Sequence, residues 1–233
     1  METTPAAARP KFYTELAYII GLVVLAFGVA AMEASDFGVS MVVAPAYLIY
    51  RKLNPILPFF TFGMAEYCLQ AVLLAATMLV LRRFRISWLL TFATAVLYGF
   101  ILDGCMALIA PIPHDTLPLR IGFYIVGVLL CSLGVSLLFH TYLPPEAYEL
   151  FVKLISALFG WNIHKFKTVY DLSSMLVGVV LSFCFFGLWH FEGVRLGTLL
   201  CALINGFLIG RLSKLLERLF TFTDAWKWRP FFS

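Results

Sequence analysis

The stretch "GLVVLAFGVA" at residues 21–30 returns in altered form as "GVLLCSLGVS" at residues 127–136. The glycines at positions 21 and 28 match those at positions 127 and 134. Both stretches are otherwise almost wholly apolar, and small residues allow helices in a membrane to approach each other closely. The repeated stretch therefore predicts two membrane helices that hold equivalent places in the fold.

Composition agrees with a membrane location. Hydrophobic residues make up 62% of the 233 residues and charged residues only 13%, and mean hydropathy is +0.93. Soluble domains are about half apolar and about a quarter charged. The five cysteines lie in apolar stretches without a CxxC pair, which favours small buried side chains over disulfides or a zinc site.

Six apolar runs are each long enough to cross a bilayer of about 30 Å. They lie near residues 13–32, 62–81, 87–110, 119–141, 168–189 and 194–213. Proline-rich or charged segments such as "RKLNPILP", "RRFR" and "PIPHDTLP" separate them, as expected where a chain leaves the bilayer. The sequence predicts an all-α, polytopic transmembrane helix bundle that forms a single domain over residues 1–233.

The distribution of basic residues predicts the topology. With both termini cytoplasmic, thirteen of the seventeen Lys and Arg residues fall on the cytoplasmic side, and only Arg51, Lys52, Arg120 and Arg195 fall outside. This bias follows the positive-inside rule. We expect a multi-pass protein of the bacterial inner membrane, with residues 216–233 forming an aromatic interfacial tail in the cytoplasm.

The internal sequence similarity that includes residues 21–30 and 127–136 extends over most of the chain. "TFGMAEYCLQ" (61–70) aligns with "FKTVYDLSSM" (166–175), and "TFATAVLYGFIL" (91–102) aligns with "TLLCALINGFLI" (198–209). Two repeats of three spans follow, over about residues 13–110 and 119–215. Because three is odd, the second repeat enters the membrane from the opposite face, as in many secondary transporters. The alternative is a chance similarity between glycine-rich apolar sequences.

Each repeat also contains a broken segment after its first span. These segments are "DFGVSMVVAPAYLIYRKL" and "YLPPEAYELFVKLISALFG". Charged residues alternate with apolar ones at helical spacing in the second, which suits a short helix that lies in the interface or enters the bilayer as a re-entrant half-helix.

Three blocks resemble the YczE/YyaS/YitT integral membrane proteins of bacteria: "GLVVLAFGVAAMEASDFGVS", "FKTVYDLSSMLVGVVLSFCFFG" and "GVRLGTLLCALINGFLIG". The resemblance covers about Leu16 to Leu215. One difference is that Ser40 is followed by Met41 here, and the proline of the family's turn is delayed to Pro45. The resemblance implies small-molecule transport and assigns no catalytic residue.

Ionisable residues inside membrane spans are costly, by about 2.5–3.5 kcal/mol at the centre, and are therefore candidate functional residues. Glu66 and Asp171 hold equivalent positions in the two repeats. Together they can bind a cation or exchange protons near the contact between repeats. The alternative is that each carboxylate stabilises the first turn of its helix through the helix dipole.

Asp103 lies well inside the third span, and either a functional role or an ion pair with Arg120 would explain it. Asn205 occupies the corresponding part of the last span, where it either lines the same cavity or makes an interhelical hydrogen bond. Glu33 and Asp36 end the first span, either at the mouth of a site or at a solvated helix end. These six acidic and amide residues are the candidate substrate- or ion-binding set.

Transport of a small organic solute by alternating access, coupled to an ion or proton, is the function that these patterns favour. The alternative is a non-catalytic accessory protein that assists another membrane complex. No nucleotide-binding loop, nucleophile elbow or histidine pair at metal-binding spacing is present in the sequence, so we expect no enzymatic activity, cofactor or metal site. The expected partners are the lipid bilayer, an unidentified solute or ion and, through glycines of the last span, a second copy of the chain. We expect no nucleic-acid binding.

The predicted topology can be tested by cysteine labelling in intact cells after the native cysteines are replaced by serine. Ile56→Cys lies in the predicted outer loop and should react with a membrane-impermeant maleimide. Ser233→Cys lies in the predicted cytoplasmic tail and should react only after permeabilisation. Labelling of the tail cysteine in intact cells would contradict the topology.

Overall fold

The computed structural model describes residues 10–82, 86–113, 115–144, 146–161, 163–189 and 191–226. These residues form eight helices and two short strands: β1 (Lys11–Tyr13), α1 (Thr14–Ser35), α2 (Ala44–Leu53), α3 (Phe62–Leu81), α4 (Ile86–Ile109), α5 (Leu117–Phe139), α6 (Ala147–Phe159), α7 (Ile163–Phe186), α8 (Leu196–Leu219) and β2 (Thr221–Thr223).

Six of these helices (α1, α3, α4, α5, α7 and α8) are long and apolar enough to cross a membrane. They coincide with the six predicted spans, which confirms an all-α, polytopic bundle and a multi-pass membrane protein. Helix α8 continues to Leu219, so it includes the first residues of the predicted tail. Several basic residues used for the topology lie outside the described residues: Arg9, Arg83, Arg85, Lys227 and Arg229.

The repeated glycine stretches meet where α1 and α5 cross. The helices are antiparallel, since Gly21 lies beside Gly134 and Gly28 lies beside Gly127. A Cβ placed on Gly28 would lie 2.9 Å from the carbonyl oxygen of Gly127, and a Cβ on Gly127 would lie 2.9 Å from that of Gly28. Backbone packs directly against backbone here, which any larger side chain would prevent.

The short helix α2 runs beside the second half of α7. At its start, the Ser174 hydroxyl of α7 donates a hydrogen bond of 3.0 Å to the carbonyl of Met41. Near its end, the Lys52 ammonium donates to the carbonyl of Phe185 over 3.0 Å. Since Ser174 lies halfway along α7 and Phe185 at its end, α2 is a half-helix that begins at mid-depth of the bundle.

Helix α6 is placed in the same way beside α3. Its first amide, Ala147 N–H, donates to the side-chain carbonyl of Gln70 over 3.0 Å, and Gln70 lies near the middle of α3. Leu150 then packs with Leu74 in one apolar cluster. Both short helices therefore start at mid-depth and return to the surface that they came from, which is a re-entrant arrangement and not an interfacial one.

The first and last described segments meet at one end of the bundle. Strand β1 pairs in parallel with β2, with Phe12 opposite Phe222. The backbone amides of Ala225 and Trp226 donate to the Glu15 carboxylate at the start of α1. The beginning of α1 and the end of α8 consequently lie on the same side of the bundle.

The glycines of the last span differ from one another in their surroundings. Gly197 lies against the backbone of Phe37, and Gly193 precedes α8 with a φ of +66°. A Cβ atom added to Gly206 or Gly210 would meet no described atom within 4 Å outside its own helix. Within the described chain these two glycines form an open face, and contact with a second copy there stays a prediction.

The crossing of α1 and α5 gives a matched pair of glycine substitutions. Gly28→Ala places a methyl group 2.6 Å from the backbone nitrogen of Cys131, so it should destabilise the protein by about 1–3 kcal/mol through overpacking. Gly206→Ala meets open space and should be neutral or slightly stabilising, because alanine is the better helix former. Melting temperatures in detergent measure both effects, and equal melting temperatures would contradict the packing described here.

Candidate functional site

Two buried glutamates face each other across one glutamine where α6 begins. The side-chain amide of Gln70 donates to Glu66 over 3.3 Å and to Glu146 over 3.2 Å. Glu66 and Gln70 are 0% exposed and Glu146 is 4% exposed. Tyr148 is also buried and faces Glu66. We refer to Glu66, Gln70, Glu146 and Tyr148 as the carboxylate cluster.

Several polar atoms of the carboxylate cluster lack a hydrogen-bond partner among the described residues. They are Oε2 of Glu66, Oε1 of Glu146 and the hydroxyl of Tyr148, although the Tyr148 hydroxyl and the Glu66 carboxylate face and interact with each other. Buried polar groups are normally paired, and an unpaired one costs about 1–3 kcal/mol. The cluster therefore retains capacity to bind protons, water or a small solute.

A lysine bridge lies beside the carboxylate cluster. The Lys167 ammonium of α7 contacts the Glu149 carboxylate at 2.9 Å and the Asp171 carboxylate at 3.3 Å. All three side chains are mostly buried. The sequence placed Lys167 on the cytoplasmic surface, but in the structure its single positive charge is shared between two acidic groups inside the bundle.

Helix geometry explains why these residues converge. Glu66 and Gln70 are four residues apart and lie on one face of α3, as do Lys167 and Asp171 on α7. The loop before α6 carries Glu146 inward to the middle of α3. A carboxylate immediately before a helix also interacts favourably with the positive end of the helix dipole.

Glu146 lies outside the six spanning helices, and its environment disfavours the charged form. Burial raises the pKa of Glu146 well above its ordinary value, and the nearby carboxylates Glu149 and Glu66 raise it further. Lys167 and the Gln70 hydrogen bond act in the opposite direction but do not outweigh these effects. Glu146 is therefore the clearest proton-binding group of the cluster.

Asp103 is not paired with Arg120, in contrast to one of the two explanations considered for it. Its carboxylate accepts hydrogen bonds from the Thr61 hydroxyl at 2.6 Å and from the Gly63 amide at 2.8 Å. Thr61 in turn accepts from the Met64 amide. From a neighbouring helix, Asp103 thus satisfies one free amide at the start of α3 and holds the Thr61 hydroxyl that satisfies a second. It lines a small cavity of about 180 Å³.

The capping explanation does not hold for Asp171 or Glu66. Asp171 lies in the third turn of α7, which begins at Ile163, and Glu66 lies in the second turn of α3. Their carboxylates instead belong to the lysine bridge and the carboxylate cluster. Tyr170 lies near residues of both groups.

The remaining candidates lie elsewhere. Asn205 of α8 accepts a hydrogen bond of 2.9 Å from the Ser132 hydroxyl of α5, which is the interhelical hydrogen bond considered as its structural role. Glu33 accepts a hydrogen bond of 3.3 Å from the Tyr47 hydroxyl. The structure therefore brings Glu66 and Asp171 into one region and leaves Asp103, Asn205 and Glu33 outside it.

Asp36 lies at the mouth of the larger described cavity, as one interpretation of the sequence proposed. Its carboxylate pairs with Arg120 at 2.8 Å and with Arg195 at 2.6 Å. The cavity measures about 660 Å³. Its lining includes Met175 of α7, one helical turn from Asp171.

Sequence reasoning missed Gln70, Glu146, Glu149 and Lys167 as members of the site. Charged residues at helical spacing placed Glu146 and Glu149 on the solvated face of an amphipathic helix. The signal that could have identified these residues is the position of α6 in the sequence. Helix α6 aligns with α2 in the proposed repeat, and a re-entrant helix buries its first turn at mid-depth. Apart from this placement, nothing local in the sequence distinguishes a buried glutamate from an exposed one.

Comparison with known protein families identifies a family and not an activity. Residues 12–214 match the sequence model of the family of unknown function DUF6198. Because the match covers most of the chain, the protein belongs to this family. No curated protein and no solved structure gives a significant match.

The environment of Glu146 predicts a pH dependence of stability. A carboxyl group whose pKa is higher in the folded than in the unfolded state binds protons more tightly when folded. Stability should therefore fall as the pH rises above about 4.5, the ordinary value for glutamate. The melting temperature of Glu146→Gln should fall less steeply with pH than that of the wild type. Identical slopes would show that Glu146 does not bind this proton.

Proposed function

We propose that the protein is a secondary transporter of a small organic solute, coupled to protons at the carboxylate cluster. The single observation that carries this proposal is the meeting of two buried carboxylates, with unpaired oxygens, at the start of a re-entrant half-helix. Transporters commonly place substrate and ion sites at such helix ends near the middle of the bilayer.

The packing of the helices supports an inverted repeat of α1–α4 and α5–α8. Exchanging each helix with its counterpart preserves most of the contacts: α1 packs on α4 as α5 packs on α8, α3 on α4 as α7 on α8, and α2 on α7 as α6 on α3. The reciprocal glycine contacts of α1 and α5 suit a two-fold axis between these helices. Two such halves can rock against each other to expose one site to either side.

Proton coupling follows from the charges of the cluster. Glu66 and Glu146 share one amide donor group, and Lys167, in contact with Glu149 and Asp171, is already committed to two carboxylates. Two neighbouring carboxylates in a poorly solvated site favour a state with at least one proton bound. Release of that proton would leave an uncompensated charge, which gives the two protonation states different energies and can favour different conformations.

We further propose that the protein resides in the bacterial inner membrane with both termini in the cytoplasm. The basic residues favour this orientation, and the pairing of β1 with β2 supports a common side for both ends. The resemblance to the YczE/YyaS/YitT proteins agrees with a transport role.

The function is tested in two stages, because the solute is not identified. A thermal-shift screen of the purified protein against metabolites identifies ligands, since a ligand of the folded state raises the melting temperature. Each ligand is then offered to proteoliposomes that contain a pH-sensitive dye and carry an imposed pH gradient. We expect uptake against the solute gradient that is accompanied by proton movement.

Matched variants identify the coupling residue. Glu146→Gln should bind the ligand but lose pH-driven accumulation. Glu217→Gln makes the same chemical change at an exposed carboxylate and should transport normally. Equal pH-driven accumulation by Glu146→Gln and the wild type would overturn proton coupling at this cluster. A screened ligand that binds without any flux would favour an accessory role.

A further inference from the structure

The larger cavity has a cationic end and an apolar body. At the cationic end, Arg120 lies in the first turn of α5 and Arg195 directly precedes α8. The remaining lining is almost wholly apolar: Phe37, Met175, Val179, Phe191, Val194, Leu196 and Leu199. Ends of spanning helices lie at the level of lipid head groups, and the middle of α7 lies in the hydrocarbon region.

The two arginines are held mainly by the backbone that ends α1. Arg120 donates to the carbonyl oxygens of Ser35, at 2.8 Å, and Asp36, at 3.2 Å. Arg195 also donates to the carbonyl of Asp36. The guanidinium of Arg120 lies over the ring of Phe37 at 5.1 Å. These contacts fix both guanidinium groups without using the Asp36 side chain.

The Asp36 side chain therefore occupies an anion position between two fixed cations. It makes both ion pairs while its side chain remains 59% exposed. One carboxylate against two guanidinium groups leaves a net positive charge at this end of the cavity. An anionic group from outside would compete with Asp36 for the same guanidinium groups.

The cavity opens where the helix surface is apolar. Leu196 is 80% exposed, and Phe191 and Leu199 are also partly exposed beside it. In a bilayer such side chains contact acyl chains. An occupant that enters here must combine an anionic head at the interface with an apolar chain that extends toward Met175.

We propose that this cavity binds one anionic phospholipid, with its phosphate at Arg120 and Arg195 and an acyl chain along the apolar lining. Basic pockets between membrane helices bind anionic head groups through the same chemistry. The proposal goes beyond transport, because a lipid bound where the end of α1 meets α5, α7 and α8 would be a structural ligand of the bundle.

The test measures lipid selectivity and is independent of transport. The full-length protein is reconstituted in nanodiscs that contain equal amounts of phosphatidylglycerol and phosphatidylcholine. Native mass spectrometry then gives the ratio of the two lipids that remain bound. The wild type should retain phosphatidylglycerol preferentially, and a ratio near one would overturn the proposal.

Two variants should change this ratio in opposite directions. Arg195→Gln should lower the preference for phosphatidylglycerol about fivefold, the effect expected of one basic residue near a lipid surface. Asp36→Asn removes the competing carboxylate and should raise it. Asparagine suits this position, because residue 36 has a φ of +55° and asparagine tolerates the left-handed region. A purely structural ion pair would give no gain with Asp36→Asn, and this result would overturn the proposal.

Controls separate the alternative causes. Arg51→Gln removes an exposed arginine that pairs with Glu192 and should leave the ratio unchanged; a decrease equal to that of Arg195→Gln would overturn the assignment to this cavity.

Decyl phosphate tests for a soluble ligand. The lipid proposal fails if decyl phosphate displaces phosphatidylglycerol when little decyl phosphate is bound and raises the melting temperature more than phosphatidylglycerol does. That result would show that the site prefers a free amphiphile.

Discussion

The close crossing of α1 and α5 is the contact on which the other helix positions depend. Four glycines bring two backbones together, and each glycine lies within van der Waals distance of the backbone of the opposite helix. Helix α4 packs on α1, and α8 packs on α5, so both outer pairs are built on this crossing. In lipid, where the hydrophobic effect does not favour one helix contact over another, close backbone packing of this kind provides specificity.

The two half-helices have similar positions but very different surroundings. Where α2 begins, Ala44 packs against Gly178 of α7, and a methyl group on the glycine would lie 3.4 Å from the Ala44 methyl and only 2.9 Å from Val194. Where α6 begins, glutamate and glutamine side chains fill the corresponding space. The start of α2 is thus an apolar junction and the start of α6 a polar one. The proposed chemistry depends on this difference, since only the polar junction can bind and release a proton.

The spans were predictable from sequence because each is a long apolar run with charged or proline-rich boundaries, and all six were confirmed. The site was predictable only in part. Glu66 and Asp171 were recognised because acidic residues are rare in apolar runs. Glu146 and Lys167 lie in polar segments, where charge is unremarkable, and only the inward course of the loop before α6 buries Glu146. The partner of Asp103 depends on how α4 packs on α3, which no local pattern encodes.

The pairing of β1 with β2 has a consequence for how the protein is made. These strands come from opposite ends of the described chain, so they cannot pair until the last helix has left the ribosome and entered the bilayer. At every earlier stage of biogenesis, β1 is therefore without its partner strand. Pairing of the two strands would then be the last step of assembly. Once formed, the pair would restrict separation of the first and last helices at that end of the molecule.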